Sequence, residues 1–137
     1  MTITIKNLCN VAWTRFDYEL HHGKWSDDHV PTFQIVADPG NDPKTPGIGT
    51  IASQKRTGAG YGTQGSCAYA ANDQQLIDHP TAPKLLSIQW SDSYASSPPW
   101  VKAYAPPPYL ASVHEETTSQ DYYRVTVTLS PAPAQST

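Results

Sequence analysis

Several short constellations carry residue types that could do chemistry. Gly60-Tyr61-Gly62-Thr63-Gln64-Gly65 has the GxGxxG spacing that cradles a dinucleotide pyrophosphate. That fingerprint works when its last glycine opens a helix whose N–H groups hold the phosphates, whereas here Ser66-Cys67-Ala68-Tyr69 reads as a strand. The glycines are therefore expected to form a tight turn between two strands. His21, His22 and His29, with Asp27 and Asp28, are metal-ligand types, but adjacent strand residues point to opposite faces, so a solvated turn is the expectation. Glu115 and Glu116 fail as an acid/base pair for the same reason. No serine stands in a nucleophile-elbow motif, and Cys67 has no base partner in its local sequence. Cys9 and Cys67 lack zinc or redox spacing and read as buried free thiols. No cofactor and no metal is expected. A catalytic site gathered from distant residues such as His21, His22, Asp92 and His114 stays open as one alternative.

Aromatic residues are the stronger signal. Trp25, Trp90, Tyr94, Trp100, Tyr104 and Tyr109 gather at turns and strand ends, where a ring with a polar tip suits a water–lipid boundary or the face of a sugar. The competing reading is that these rings fill the core.

The elements that must position these residues are strands. Thirteen prolines and eight glycines interrupt the 137 residues so often that no helical period survives ten positions. Alternation marks strands at 2–6, where Ile3 and Ile5 share a face, and at 12–20, where Phe16, Tyr18 and Leu20 share one. Further strands are expected at 33–37, 50–57, 66–71, 85–90, 101–104, 110–116 and 122–129. In the last, Tyr123, Val125, Val127 and Leu129 face the core. The fold class is all-β, an antiparallel β-sandwich of about nine short strands over residues 1–130, with 131–137 a disordered tail. Ile3, Ile5, Phe16, Leu86, Ile88, Val125 and Val127 are its expected core. The stretch 38–49 reads as a proline-rich loop, and Pro106-Pro107-Pro108 as a rigid connection.

A net charge of −3 supplies no basic patch for phosphate backbones, so no nucleic acid partner is expected. The opening Met1-Thr2-Ile3-Thr4-Ile5-Lys6 alternates instead of running basic then apolar, which suggests synthesis in the cytoplasm or prior removal of a leader.

Taken in order, these features resemble the aegerolysin superfamily, which includes the small component of binary insecticidal crystal toxins. The resemblance rests on a first strand ending at Asn7 and on the turn His22-Gly23-Lys24-Trp25 followed by Pro31 and Ile35. It continues through Gly62-Thr63-Gln64-Gly65-Ser66-Cys67-Ala68-Tyr69, Leu86-Ser87-Ile88-Gln89-Trp90-Ser91-Asp92-Ser93-Tyr94 and the closing strand 123–129. Gln64 in place of an acid, Ser93 in place of proline and the 38–49 insertion depart from the family pattern. Actinoporins are the nearest competitor, but their amphipathic helix ahead of the first strand has no counterpart before Thr2.

The resemblance implies a toxin or defence-type protein that binds a membrane lipid headgroup, a sphingolipid among the candidates. It would do so through Trp25, Trp90, Asp92, Tyr94, Trp100 and Tyr104, and would recruit a larger pore-forming partner. After release it would act on target membranes. The alternatives are a carbohydrate-binding module built on the same aromatics and an enzyme on a reused sandwich.

Overall fold

The computed structural model describes residues 1–37, 47–55, 62–72, 84–92, 98–119 and 122–131. Among these residues, ten strands are arranged in two five-stranded sheets. Sheet 1 has the order β3 (Lys24–Trp25), β5 (Gly47–Gln54), β1 (Thr2–Asn7), β10 (Tyr122–Pro131), β9 (Tyr109–Ser119). Sheet 2 runs β4 (Gln34–Ile35), β2 (Trp13–His22), β6 (Thr63–Ala71), β7 (Leu85–Asp92), β8 (Trp100–Tyr104). The tenth strand beyond the nine expected is β3, a two-residue pairing of Lys24 and Trp25 with Gln54 and Ser53. Every paired neighbour is antiparallel except β1 and β10, which run parallel with Ile3 beside Val125 and Ile5 beside Val127.

The core lies between the sheets. Ile3, Ile5, Leu86, Ile88, Val125 and Val127 are all buried there as the alternation implied, with Trp13, Ile35, Ile51, Tyr69, Trp90, Tyr123 and Leu129. Phe16 is the exception: it is 57% exposed, not a core residue. The cause is a bulge in β2. Arg15 pairs with Tyr69 and Asp17 with the very next partner, Ala68, which leaves Phe16 as the extra residue. An inserted residue reverses the in/out alternation beyond it. Arg15 and Tyr18, three apart, thus lie on one face of the sheet, the same face as their pairing partners, the buried Tyr69 and Cys67.

Two glycines are fixed by geometry. Gly23 has φ +98°, where the chain leaves sheet 2 at the end of β2 and enters sheet 1 as β3, and a Cβ there would meet the Gln54 carbonyl oxygen at 2.7 Å. Gly65 is not in the expected turn but inside β6, where a Cβ would lie 2.6 Å from the Trp90 ring and 2.5 Å from the Glu19 carbonyl oxygen. Likewise Gly47, Ile48 and Gly49, assigned to a loop from sequence, open β5, and Pro131, assigned to the tail, ends β10. The rest of both stretches, 38–46 and 132–137, lies outside the described residues.

The segment between β3 and β4 crosses back to sheet 2 and is tied to both sheets. Thr32 donates its backbone N–H to Thr50 O at 3.1 Å, and its hydroxyl accepts the Thr50 N–H at 2.9 Å. The Tyr69 hydroxyl donates to Thr32 O at 2.7 Å, and the Arg15 guanidinium donates to Pro31 O at 2.7 Å. This strap closes one side of the sandwich, while β8 and β9, joined by residues 105–108, meet at the other.

Candidate functional site

Because β4 is only two residues long, β2 is flanked on that side only as far as Thr14, and the strap fills the space beyond. There the β2 bulge and the strap build an aromatic edge. The Arg15 guanidinium carbon sits 4.5 Å from the Tyr18 ring centroid and 5.4 Å from that of Phe33, while its backbone N–H donates to Phe33 O at 2.7 Å. A cation held against two rings is orientationally fixed by their quadrupoles. The rings continue inward: Tyr18 meets Trp25 edge-on at 5.9 Å, and Trp25 meets Trp90 edge-on at 6.1 Å. Outward, Phe33 is 61% exposed, and Phe16, Tyr18 and Val30 are exposed with it. A row of aromatic groups thus runs from solvent to the core beside a half-buried guanidinium.

Of the six residues implicated by the resemblance, the five that are described lie on β3, β7 and β8. Trp25, half-buried on β3, belongs to the row just described. Trp90 does not present its ring at the surface: it is fully buried, packed over Gly65 and against Trp25. Asp92, at the end of β7, is buried as well. Trp100 and Tyr104 lie on β8, three strands from β2 across the sheet, with the Lys102 ammonium 4.9 Å from the Trp100 ring centroid. Tyr94 lies outside the described residues. The residues named for a site gathered from a distance lie apart in exposure and in sheet. His114 is exposed on sheet 1, His21 and His22 are exposed on sheet 2, and Asp92 is buried.

Four buried side chains titrate above their ordinary values. Burial pushes the Cys67 thiol up to about 12 and the Cys9 thiol up to about 11, so both buried free thiols stay protonated near neutral pH. Burial also raises Tyr69, and Tyr123 is raised by burial and by its hydroxyl's 2.7 Å bond to Glu115. Glu116 accepts the Thr126 hydroxyl at 2.6 Å, so the two adjacent glutamates are each engaged by a different side chain of β10.

Sequence reading missed Arg15, Phe16, Tyr18 and Phe33 as a group. Their signal was the run Arg15-Phe16-Asp17-Tyr18-Glu19, in which rings alternate with charges on what reads as a core-facing strand. Strict alternation sent Phe16 inward, and nothing local announces a bulge.

No protein-family model and no curated protein matches the chain. Among solved structures, the crystal structure of RahU protein in complex with a TRIS molecule is similar, with a TM-score of 0.64 and 19% sequence identity. The match covers 98% of this chain and 97% of that one. RahU is an aegerolysin-family protein, and at this identity the likeness is one of architecture: the chain has an aegerolysin-like fold.

Proposed function

We propose that the protein is a membrane-lipid-binding protein of the toxin or defence type, docking through the sandwich edge formed by Arg15, Phe16, Tyr18 and Phe33. The observation that carries this reading is the guanidinium set against the exposed Tyr18 and Phe33 rings, with Phe16, also exposed, next to Arg15 at the bulge. Phenylalanine rings gain by leaving water for the headgroup and upper acyl region, and a guanidinium at that depth pairs with lipid phosphate. Trp25 extends the same row, and the aegerolysin-like fold supports the reading at the level of architecture. Among the described residues no helix is long and apolar enough to cross a membrane. The reading includes a larger pore-forming partner, as the resemblance to the small component of binary toxins implies.

Sedimentation with vesicles of phosphatidylcholine, with and without sphingomyelin, tests the proposal. The protein should pellet with at least one composition and release little trapped dye when alone. The double substitution Phe16→Ser, Phe33→Ser should weaken binding about thirtyfold or more while leaving the unfolding midpoint in place, since two exposed rings forfeit roughly 1 to 2 kcal/mol each at the interface. Protein that stays in the supernatant with every composition would overturn the reading.

A further inference from the structure

The outer face of sheet 2 forms a grid with its own chemistry, separate from the lipid-docking edge. The strand registers align three rows across β8, β7, β6 and β2. They are Tyr104, Ser87, Ala68, Asp17; then Lys102, Gln89, Ser66, Glu19; then Trp100, Ser91, Gln64, His22. Adjacent strands lie about 4.8 Å apart, so each row spans roughly 14 Å. Charged and aromatic side chains stand on the two flanking strands, with serines, an alanine and two glutamines over the middle, which leaves a trough. It holds two adjoining depressions of about 150 and 160 Å³. The first runs from Asp17 over Ser66 and Ala68, the second reaches Lys102 and Tyr104, and Ser87 and Gln89 line both.

We infer that this trough is a binding site for a neutral oligosaccharide. The trough is set between a cation at Lys102 and carboxylates at Asp17 and Glu19. A polyanion reaching across it would meet the carboxylates, and a polycation would meet the ammonium, so a chain of either sign is opposed at one end. An uncharged polyol meets no such conflict, because each hydroxyl both donates and accepts. Carboxylates accept hydrogen bonds from its hydroxyls, the ammonium donates to its oxygens, and the Ser66 and Ser87 hydroxyls and the Gln89 amide do both. Tyr104, 66% exposed, supplies an open ring face at the rim against which the C–H face of a pyranose can stack. Lys102 is held at that rim by the Trp100 ring, which limits the freedom lost when it binds a ligand. The lining is mixed, with Ala68, Ala103 and the Tyr104 ring beside Ser66, Ser87 and Gln89, which suits a ligand that carries C–H faces and hydroxyls together.

Saturation-transfer NMR on the whole chain tests the inference, using a panel of soluble tetrasaccharides of glucose, mannose, galactose and N-acetylglucosamine. At least one should bind, and amide shifts on titration should map to Ser66, Ala68, Ser87, Gln89 and Lys102. Tyr104→Ala should weaken binding about tenfold, the scale of one lost stacking ring. Ser87→Phe, an outward substitution on a strand that favours aromatics, should abolish it by filling both depressions. Vesicle sedimentation should be unchanged in both variants, because neither residue belongs to the Arg15 edge. Failure of the whole panel to bind, amide shifts that map elsewhere, or binding that survives both variants would overturn the inference.

Discussion

At the scale of single residues, burial decides what each group can do. Ile88 and Val127 occupy opposite sheets of one core, and truncating either to alanine should cost about 1 to 4 kcal/mol in chemical denaturation, because the lost methyl groups leave a cavity. The thiols make a second prediction. Their folded values, about 11 for Cys9 and about 12 for Cys67, stand above the ordinary 9.0. An unfolded chain therefore sheds these protons first as pH rises, and the stability they contribute is full below pH 9 and declines from there through about 11 to 12. Tyr69 and Tyr123, raised from an ordinary 10.0, add to the loss from about pH 10 upward. The urea midpoint should be flat in this respect from pH 7 to 9 and fall above it, and a Cys9→Ala, Cys67→Ala variant should show a shallower fall. An equal slope in the variant would assign the alkaline loss to other groups.

Among the elements, the strap between β3 and β4 and the bulge in β2 are the two devices that make the aromatic edge, and they differ in how far the sequence betrays them. The strands themselves were legible: alternation placed Ile3 with Ile5 and Tyr123 with Val125, Val127 and Leu129, and all are buried. The bulge was not, because an extra residue is a property of the pairing between β2 and β6, and Phe16 looks like any inward aromatic until its partners are known. Gly65 misled for a related reason. Glycine reads as a turn, but here the missing side chain makes room for the Trp90 ring across the pair. The strap yields a prediction of its own. Tyr69→Phe removes the bond to Thr32 O while keeping the ring, and should cost about 1 kcal/mol, with more if the carbonyl stays shielded from water. Since Phe33 follows Thr32 directly, the same change should also raise hydrogen exchange at the Arg15 amide, which donates to Phe33 O. Unchanged exchange there would show that the strap holds without Tyr69.

For the whole molecule, the decisive pairing is the one between the ends of the chain. Sheet 1 holds β1 at its centre, between β5 and β10, so neither sheet 1 nor the core beneath it is complete until the last strand has docked beside the first. No local pattern could reveal this parallel pair, because antiparallel and parallel strands with one buried face show the same alternation and differ only in which distant segment they meet. The consequence is kinetic as well as structural. Closing a loop of more than a hundred residues before the central contacts form is entropically slow, and sandwiches dominated by such contacts fold in milliseconds to seconds, not microseconds. Stopped-flow refolding monitored by tryptophan fluorescence should therefore give a main phase in that slow range. Trp13 and Trp90 report it well, since both sit fully buried in the sheet opposite β1 and β10. Removing residues 122–137 should leave a chain with no cooperative unfolding transition, because Ile3, Ile5 and the inner face of β9 would then lack the Tyr123, Val125, Val127 and Leu129 surface they pack beside. A truncated chain that still unfolds cooperatively would show that sheet 2 and β1 with β5 suffice for a core, and that the terminal pairing completes the fold without governing it.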